Sequence, residues 1–452
     1  MESIQELLSE LANKGVKLQV DGNDLHCYIP KGSLTPEMKE SLQRNKLTIV
    51  TMFGKNGQNA PRGSVCLDLN AEAVLDPDIR PGVGIPLPEN SASAIFLTGA
   101  SGFLGAYLLR DLLTATKATV SCLVRCASEP DGVERIRKNL LKYDLWRDEF
   151  AARILAVPGD LARPMLGLKA SVFENLSNTI DAVYHNGAHV NLIYPYANLK
   201  KPNVGGTEEI IRLACQGRPK SLHHISTVGI FPPVATSGVT ILESDPSTCW
   251  QSLPAGYQQS KWVAERLVEI AAERGLPVRI YRPGFISGDS QTGIWNTDDF
   301  LPRLIKGCIQ MGSAPASGAL VDMAPVDYVS KAIVHLSLHR DEHSGPYHFV
   351  SPCYISAGEF VGILGSLGYQ LNHTSYEDWR KTLLNTGKSL DNALYPLLSM
   401  FTEDTYLEHM PAFDCRHALE ALKGSGISCP EIDTDLIGTY LDYFKRSGFL
   451  AA

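Results

Sequence analysis

Tyr257 and Lys261 stand four residues apart in Tyr257-Gln-Gln-Ser-Lys261. They open a run that reads as one long helix, Trp262-Val-Ala-Glu-Arg-Leu-Val-Glu-Ile270, closed by Gly275. At i and i+4 the two side chains share a helix face. Upstream, Leu222-His-His-Ile225 reads as a buried strand with Ser226 and Thr227 at its end. A hydroxyl and a phenol brought to one carbonyl suit a reduction: Thr227 donates a hydrogen bond to the developing oxyanion, and Tyr257 gives it a proton. A free phenol, with a pKa of about 10, is a poor acid at neutral pH, and an ammonium at Lys261 is expected to lower it. Thr227, Tyr257 and Lys261 are the candidate catalytic set. No metal is expected, since neither HExxH nor a Cys/His cluster at zinc spacing occurs, and the adjacent His223 and His224 read as structural.

A reduction needs a hydride donor, and Ile95-Phe-Leu-Thr98-Gly99-Ala-Ser101-Gly102-Phe103-Leu104-Gly105 offers a place for one. Apolar residues end a strand, glycines follow at 99, 102 and 105, and Phe103, Leu104, Tyr107, Leu108 and Leu112 recur at helical spacing. Free N–H groups and the positive end of the helix dipole then face a diphosphate. Gly99 permits the turn, Gly102 the approach of the phosphates, and Gly105 the packing of helix on strand. The next strand, Val120-Ser-Cys-Leu-Val124, ends in Arg125, where an NAD-selective site carries an acid. A guanidinium there suits a 2′-phosphate, so NADPH is the expected cofactor. Arg135, on a helix face, either flanks the same phosphate or is a solvated charge. Ile154-Leu-Ala-Val157 leads to Asp160-Leu161, with Asp160 placed to accept from the adenine amino group. Ala182-Val-Tyr184-His leads to the small-residue turn Asn186-Gly187-Ala188. Strands alternating with helices imply a Rossmann-like, doubly wound parallel sheet.

Composition bounds the function classes. The chain has 452 residues, formal net charge -8 and 44% hydrophobic residues. No long Lys/Arg run occurs, which disfavours nucleic acid and anionic membranes as partners. Ten cysteines without a CxxC pair read as reduced thiols, and no leader or membrane-length apolar run stands out, so a cytoplasmic location is expected.

Glycine fingerprint, strand-end Thr227 and YxxxK, in this order, resemble the extended short-chain dehydrogenase/reductase family over residues 93 to 350. Gly256-Tyr257-Gln-Gln-Ser-Lys261-Trp262-Val-Ala-Glu265, Tyr281-Arg282-Pro283-Gly284, Asp289-Ser-Gln-Thr292-Gly293-Ile-Trp295-Asn296 and Pro325-Val-Asp327-Tyr328 are similar to the terminal thioester reductases of nonribosomal peptide synthetases. That resemblance runs from about Asp68 to the C-terminus. It implies reductive release of a carrier-bound acyl or peptidyl thioester as aldehyde or alcohol. It also implies cofactor contacts at Thr98, Gly99, Ser101, Gly102, Phe103, Leu104, Gly105, Asn203, Pro283 and Gly284, with Lys261 on the ribose. Relatives that cyclise instead lack the tyrosine; here Tyr257 is present. A nucleotide-sugar epimerase or dehydratase shares the Thr/Tyr/Lys set but usually holds NAD, against which Arg125 argues. A non-enzymatic NADP-binding sensor would more often lack YxxxK.

Residues 1–55 read as an αββα unit. Ile4, Leu7, Leu8 and Leu11 mark a helix, two alternating strands flank Asp21-Gly22-Asn23-Asp24, and Thr35-Pro36-Glu37 starts a second helix. Leu7-Leu8-Ser-Glu-Leu11, Gly15-Val-Lys-Leu18, Pro30-Lys-Gly32 and Leu34-Thr35-Pro36-Glu37 resemble the tubulysin-type N-terminal docking domain. It implies capture of the C-terminal tail of an upstream synthetase, with a phosphopantetheinyl carrier protein as substrate donor. Residues 56–92, rich in Gly, Pro, Asn and Asp, read as a linker whose middle packs on the next domain. The NADP-binding domain is expected over 93–285, with 323–350 returning to the sheet. A smaller, mostly helical substrate subdomain is expected over 286–452, with Phe360, Leu364, Leu367, Leu397, Leu398 and Leu419 in its core.

Overall fold

The structure is a computed structural model. It describes residues 17–21, 24–28, 67–84, 86–87, 91–234, 238–316, 319–339, 345–386, 392–401 and 410–451. The chain divides into two compact units, Met1–Leu67 and Asp68–Ala452. In the first, β1 (Lys17–Asp21) and β2 (Asp24–Tyr28) form the expected antiparallel hairpin, with Val20 opposite Leu25. Both helices expected around it lie outside the described residues.

The second unit is built on a seven-stranded, all-parallel sheet. Its strands are β3 (Ala94–Thr98), β4 (Thr119–Val124), β5 (Ile154–Pro158), β6 (Ala182–His185), β7 (Ser221–Ile225), β8 (Val278–Pro283) and β9 (Tyr347–Phe349). In space they run β9-β8-β7-β6-β3-β4-β5. The chain reverses direction across the sheet between β3 and β6, which opens a crevice at their C-terminal ends. Both faces are covered, as burial of a parallel sheet requires. Helices α1 (Phe103–Ala115), α2 (Glu129–Lys142) and α6 (Val326–Leu338) cover one face. Helices α3 (Ala170–Thr179), α4 (Gly206–Cys215) and α5 (Gly256–Glu273) cover the other.

The substrate half holds α7 (Phe300–Met311), α8 (Ala357–Ser366), α9 (Tyr376–Thr386) and α10 (Thr434–Arg446). Its core is formed by Trp295, Ile305, Leu364, Ile437, Tyr440 and Phe444, with a second cluster around Trp379 and Leu394. The stretch 286–452 is not one body. Residues 412–413 pair with 240–241, and Ala418 and Leu422 pack into the core of the nucleotide half. Leu419, expected in a core, is 38% exposed, because Ala418 and Leu422 take the inward face of that short helix.

The linker expected over 56–92 ends sooner on its C-terminal side. From Asp68 the chain is a strap on the reductase unit, with Leu69, Leu75 and Ile79 buried in its core. Leu69 and Leu75 fall in the middle of the linker, the part expected to pack on the next domain. Arg274 donates to the carbonyls of Leu75, Asp76 and Ile79 at 2.9, 2.7 and 2.7 Å. Glu72 accepts from the Tyr196 hydroxyl at 2.9 Å and pairs with Lys200 at 2.6 Å. Among the described residues, no helix is long and apolar enough to cross a membrane.

The strap predicts a sharp boundary. Deleting residues 1–66 should leave the melting temperature of the remainder within about 2 °C. Deleting 1–82 should lower it by roughly 5 °C or more, since each buried Leu or Ile contributes ~1.5–3 kcal/mol. Differential scanning calorimetry of the two truncations decides it; equal melting temperatures would remove the strap's structural role.

Candidate active site

The crevice is shaped by glycine contacts. Gly99 has φ 78°, in the left-handed region, and a Cβ there would lie 2.8 Å from Asn186 Nδ2 and 2.9 Å from Gly187 Cα. A Cβ on Gly105 would overlap the Gly99 carbonyl oxygen, so α1 rests directly on the turn. Its N-cap, Gly102, offers no side chain, and no acid occupies the first turn. The free N–H groups therefore face the crevice, the arrangement a diphosphate needs. Ser101 and Phe103 are half-buried, Gly102 is exposed, and Leu104 is buried. Asn139 of α2 donates to the carbonyls of Ala100 and Gly102 at 3.1 and 3.0 Å and so fixes the turn. No sequence pattern singles out Asn139.

Thr98 is fully buried, and its side chain serves the fold. The Gly187 N–H donates to Thr98 Oγ1 at 2.8 Å, which lies 2.8 Å from His185 Nδ1. His185 Nε2 is 2.9 Å from Thr207 Oγ1, which donates to the Asn203 carbonyl. This order fixes the direction of every hydrogen: Thr98 donates to Nδ1, and Nε2–H donates to Thr207. Burial drives the His185 pKa down to about 3, so the ring is neutral. Asn203 is also buried, with its side chain held by protein. Its Oδ1 accepts from the His189 N–H at 2.7 Å, and its Nδ2 donates to the His189 carbonyl at 3.1 Å and to Ser260 Oγ at 2.9 Å. Ser260 in turn donates to the Tyr257 carbonyl at 2.8 Å. Asn203 thus joins the turn after β6 to the helix of Tyr257 and Lys261. It sits in a π-helical stretch, Lys200–Gly205, a distortion that re-aims side chains.

At the far side of the crevice, Arg125 is exposed at the end of β4. Arg135 reaches back to donate to the Arg125 carbonyl at 2.8 Å, so the two guanidinium-bearing residues adjoin. Asp160 accepts from the Ala162 N–H at 2.9 Å and shapes its own turn with one oxygen. Leu161 borders Gly187, where a Cβ would lie 2.8 Å from its Cδ1. Asn186 and Ala188 are half-buried beside it, and Pro283 and Gly284 close the end of β8.

Tyr257 and Lys261 lie on the first turns of α5, and Gly256 is pressed against the backbone of Tyr194–Tyr196. Lys261 is buried, and its Nζ donates to the Ile225 carbonyl at 2.8 Å. Thr227, half-buried, accepts from the Gly229 N–H at 3.0 Å, which leaves its own proton free to donate. A Cβ on Gly229 would lie 3.3 Å from Thr227 Oγ1 and 3.5 Å from Gln258 Cγ, so Thr227 and the start of α5 adjoin. The expected lowering of the Tyr257 pKa is corrected here. Burial pushes the phenol up to about 12, and the Lys261 ammonium is turned to the β7 carbonyl instead. Burial also pulls Lys261 down to about 8, against the Glu265 carboxylate one turn on.

Behind the pair, Glu265 Oε1 accepts from Arg282 Nη2 at 2.6 Å and Nε at 3.0 Å, with both residues buried. Arg282 also donates to the Glu243 carbonyl at 3.4 Å. The Glu243 carboxylate accepts from the N–H groups of His348, His417 and Ala418 at 2.9, 2.6 and 3.1 Å. This buried network, which sequence reasoning missed, ties α5 to β8 and to the C-terminal segment.

A family described as "Male sterility protein" matches residues 97–333, and one described as "TubC N-terminal docking domain" matches residues 4–53. The chain is 41% identical over 389 residues to part of the linear gramicidin synthase of Brevibacillus parabrevis; the match covers 84% of this chain and 8% of that protein. It is 36% identical to the L-2-aminoadipate reductase large subunit of Penicillium chrysogenum, covering 80% of this chain and 28% of that one. The chain thus spans a minor part of these relatives' length. Among solved structures, the terminal R domain of the myxalamid PKS-NRPS pathway aligns with TM-score 0.81 at 45% identity, covering 85% of this chain and 98% of that domain. With the glycine crevice and the Thr227–Tyr257–Lys261 site in place, these matches show that the chain belongs to the terminal reductase domains of nonribosomal peptide synthetases, a family of NAD(P)-dependent oxidoreductases that release thioester-bound products reductively, and carries a TubC-type docking domain.

Proposed function

We propose that this chain is an NADPH-dependent reductase that releases an acyl or peptidyl group from a carrier protein's phosphopantetheine thioester as an aldehyde. The observation that supports this reading is the placement of Thr227 beside the start of the helix of Tyr257 and Lys261, at the same C-terminal edge of the sheet as the glycine turn and Arg125. The glycine contacts and uncapped α1 fit a dinucleotide diphosphate, Lys261 the nicotinamide ribose, and Arg125 with Arg135 a 2′-phosphate. A nicotinamide cofactor bound there supplies a hydride to the thioester carbonyl carbon. Thr227 Oγ1 donates to the carbonyl oxygen as negative charge develops. Tyr257, held protonated by burial, passes its proton to that oxygen, and the buried Lys261 ammonium offsets the tyrosinate charge. The resulting hemithioacetal breaks its C–S bond. Thiolate leaves, a good leaving group with a pKa near ~8.5, as the hydroxyl proton returns to the Tyr257 oxygen, and the aldehyde remains. A second hydride, from a second equivalent of cofactor, would give the alcohol.

The docking domain supplies the substrate by holding the C-terminal tail of an upstream synthetase, which raises the local concentration of its carrier. A cytoplasmic enzyme meets such carriers where they are loaded. Mass spectrometry of the product released from a loaded carrier tests the whole reading and separates aldehyde from alcohol; recovery of the free acid alone would refute it.

Replacing Tyr257 with Phe should lower turnover ~10²–10⁴-fold with the NADPH dissociation constant nearly unchanged. Cofactor fluorescence and steady-state turnover check both parts, and near-wild-type turnover contradicts the proton-donor role.

Arg125→Ala should weaken NADPH binding by ~1.5–3 kcal/mol and leave NADH binding as it was, since only NADPH carries the 2′-phosphate. Titration with both cofactors reads this out. Equal losses would remove the assignment.

Lys261 is lowered to about 8 in the cofactor-free chain, so its positive charge is present below pH 8 and lost above it. The kcat/KM for NADPH, which reports the free enzyme, should therefore fall as pH rises through about 8. A profile flat to pH ~10, the range of an unperturbed lysine, speaks against a working ammonium at this position.

A further inference from the structure

Three crossings between the nucleotide and substrate halves meet at one carboxylate. The chain leaves the sheet through Gly284-Phe285 after β8, returns through Asp322-Met323, and leaves again through Val350-Ser351 after β9. Asp322 Oδ2 accepts from the Phe285 N–H at 3.1 Å, and Oδ1 accepts from the Ser351 N–H at 2.8 Å. A Cβ on Gly284 would overlap Asp322 Oδ2, so the carboxylate itself requires glycine at the end of β8. The crossings are also joined through the backbone: Gly284 N–H donates to the Phe349 carbonyl and Ala324 N–H to the Phe285 carbonyl, both at 2.9 Å, and residues 286–287 pair in parallel with 324–325.

We propose that Asp322 is a positioning residue for the reduction: its two carboxylate oxygens latch the outgoing strands together and so set the substrate half over the nicotinamide end of the crevice. The inference rests on the reductase reading given above. Both of its partners are N–H donors, so the latch needs two acceptor oxygens, which only a carboxylate presents. Among the described residues Asp322 has no ion pair. Its surroundings are Tyr328, Tyr354, Cys415 and Cys429, whose own ionisation its charge opposes, and the nearest charges acting on those groups include the acids Glu243, Asp327 and Asp414. Burial raises Asp322 to about 7 against the two N–H bonds. Protonation places an O–H against one of the two donors and opens half of the latch. The closed form is therefore complete above pH 7 and is lost as pH falls through it.

The test compares wild type with Asp322→Asn, which keeps the shape but presents an NH2 to one donor. For the wild-type chain, kcat/KM for a small acyl thioester should fall about tenfold below an inflection near pH 7, while the NADPH dissociation constant stays flat across it. In Asp322→Asn the low value should hold at all pH values and the inflection should vanish. A variant that keeps the wild-type value, or keeps the inflection, overturns the latch. Should the variant fold poorly, amide hydrogen exchange of Phe285 and Ser351 in the wild-type chain serves instead. Their protection should rise between pH 6 and 8 beyond the intrinsic exchange trend, and unchanged protection overturns the proposal. Absence of any NADPH-dependent thioester turnover refutes the reductase reading, whereas turnover without the inflection refutes only the latch.

Discussion

The contact on which the site depends is that of Gly105 with the Gly99 carbonyl, a backbone-on-backbone approach that any side chain would prevent. It aims the N-terminus of α1 into the reversal point between β3 and β6, where a parallel sheet of this topology opens. Thr98, one residue before the turn, then binds the Gly187 N–H and holds the facing turn at the same depth. From there a continuous chain of bonds runs through His185, Thr207 and Asn203 to Ser260 and the Tyr257 backbone. The glycine turn and the start of the Tyr257 helix are therefore positioned by one buried polar network rather than by two separate walls. Every hydroxyl in it has a partner, the condition under which such networks rigidify a site.

Much of this was legible in the chain because the chemistry is local. Tyr257 and Lys261 are one helical turn apart, the glycines are consecutive in one turn, and Arg125 ends the strand that follows. Local spacing carries such information directly. Asn139, Glu265 with Arg282, and Glu243 with residues 348, 417 and 418 were not legible, since each contact joins segments distant in sequence. Thr98 and Asn203 illustrate a second limit. Their place in the motif was readable, but that their side chains face inward depends on burial, which motif spacing does not report. The strap from Asp68 shows a third: a packing middle of the linker was readable, but Leu69, Leu75 and Ile79 are too sparse to make a periodic pattern, so the receiving surface is what identifies them as its anchors.

The electrostatic state of Tyr257 and Lys261 follows from burial more than from pairing. Desolvation disfavours the charged form of each group, so it raises Tyr257 and lowers Lys261 together. The high value keeps the phenol protonated throughout the neutral range. The nearby imidazoles add no charge of their own, because burial holds His185 and His224 neutral. Lys261 thus holds its ammonium, bound to the Ile225 carbonyl, in a dry environment where a charge is least screened.

The Glu243 carboxylate also governs the order in which the molecule can be completed. It receives backbone N–H groups from His348 on β9 and from His417 and Ala418, at separations of 105, 174 and 175 residues. Contacts of such long range close late, after the loop entropy between them has been overcome. During synthesis the sheet from β3 to β8 can assemble from nearby segments. Glu243 and Arg282, however, face their buried site without its cover until residues 410–422 have left the ribosome. The nucleotide half is thereby sealed by a segment made long after the sheet it covers, and a nascent chain halted before that point carries an open, polar gap behind the helix of Tyr257 and Lys261.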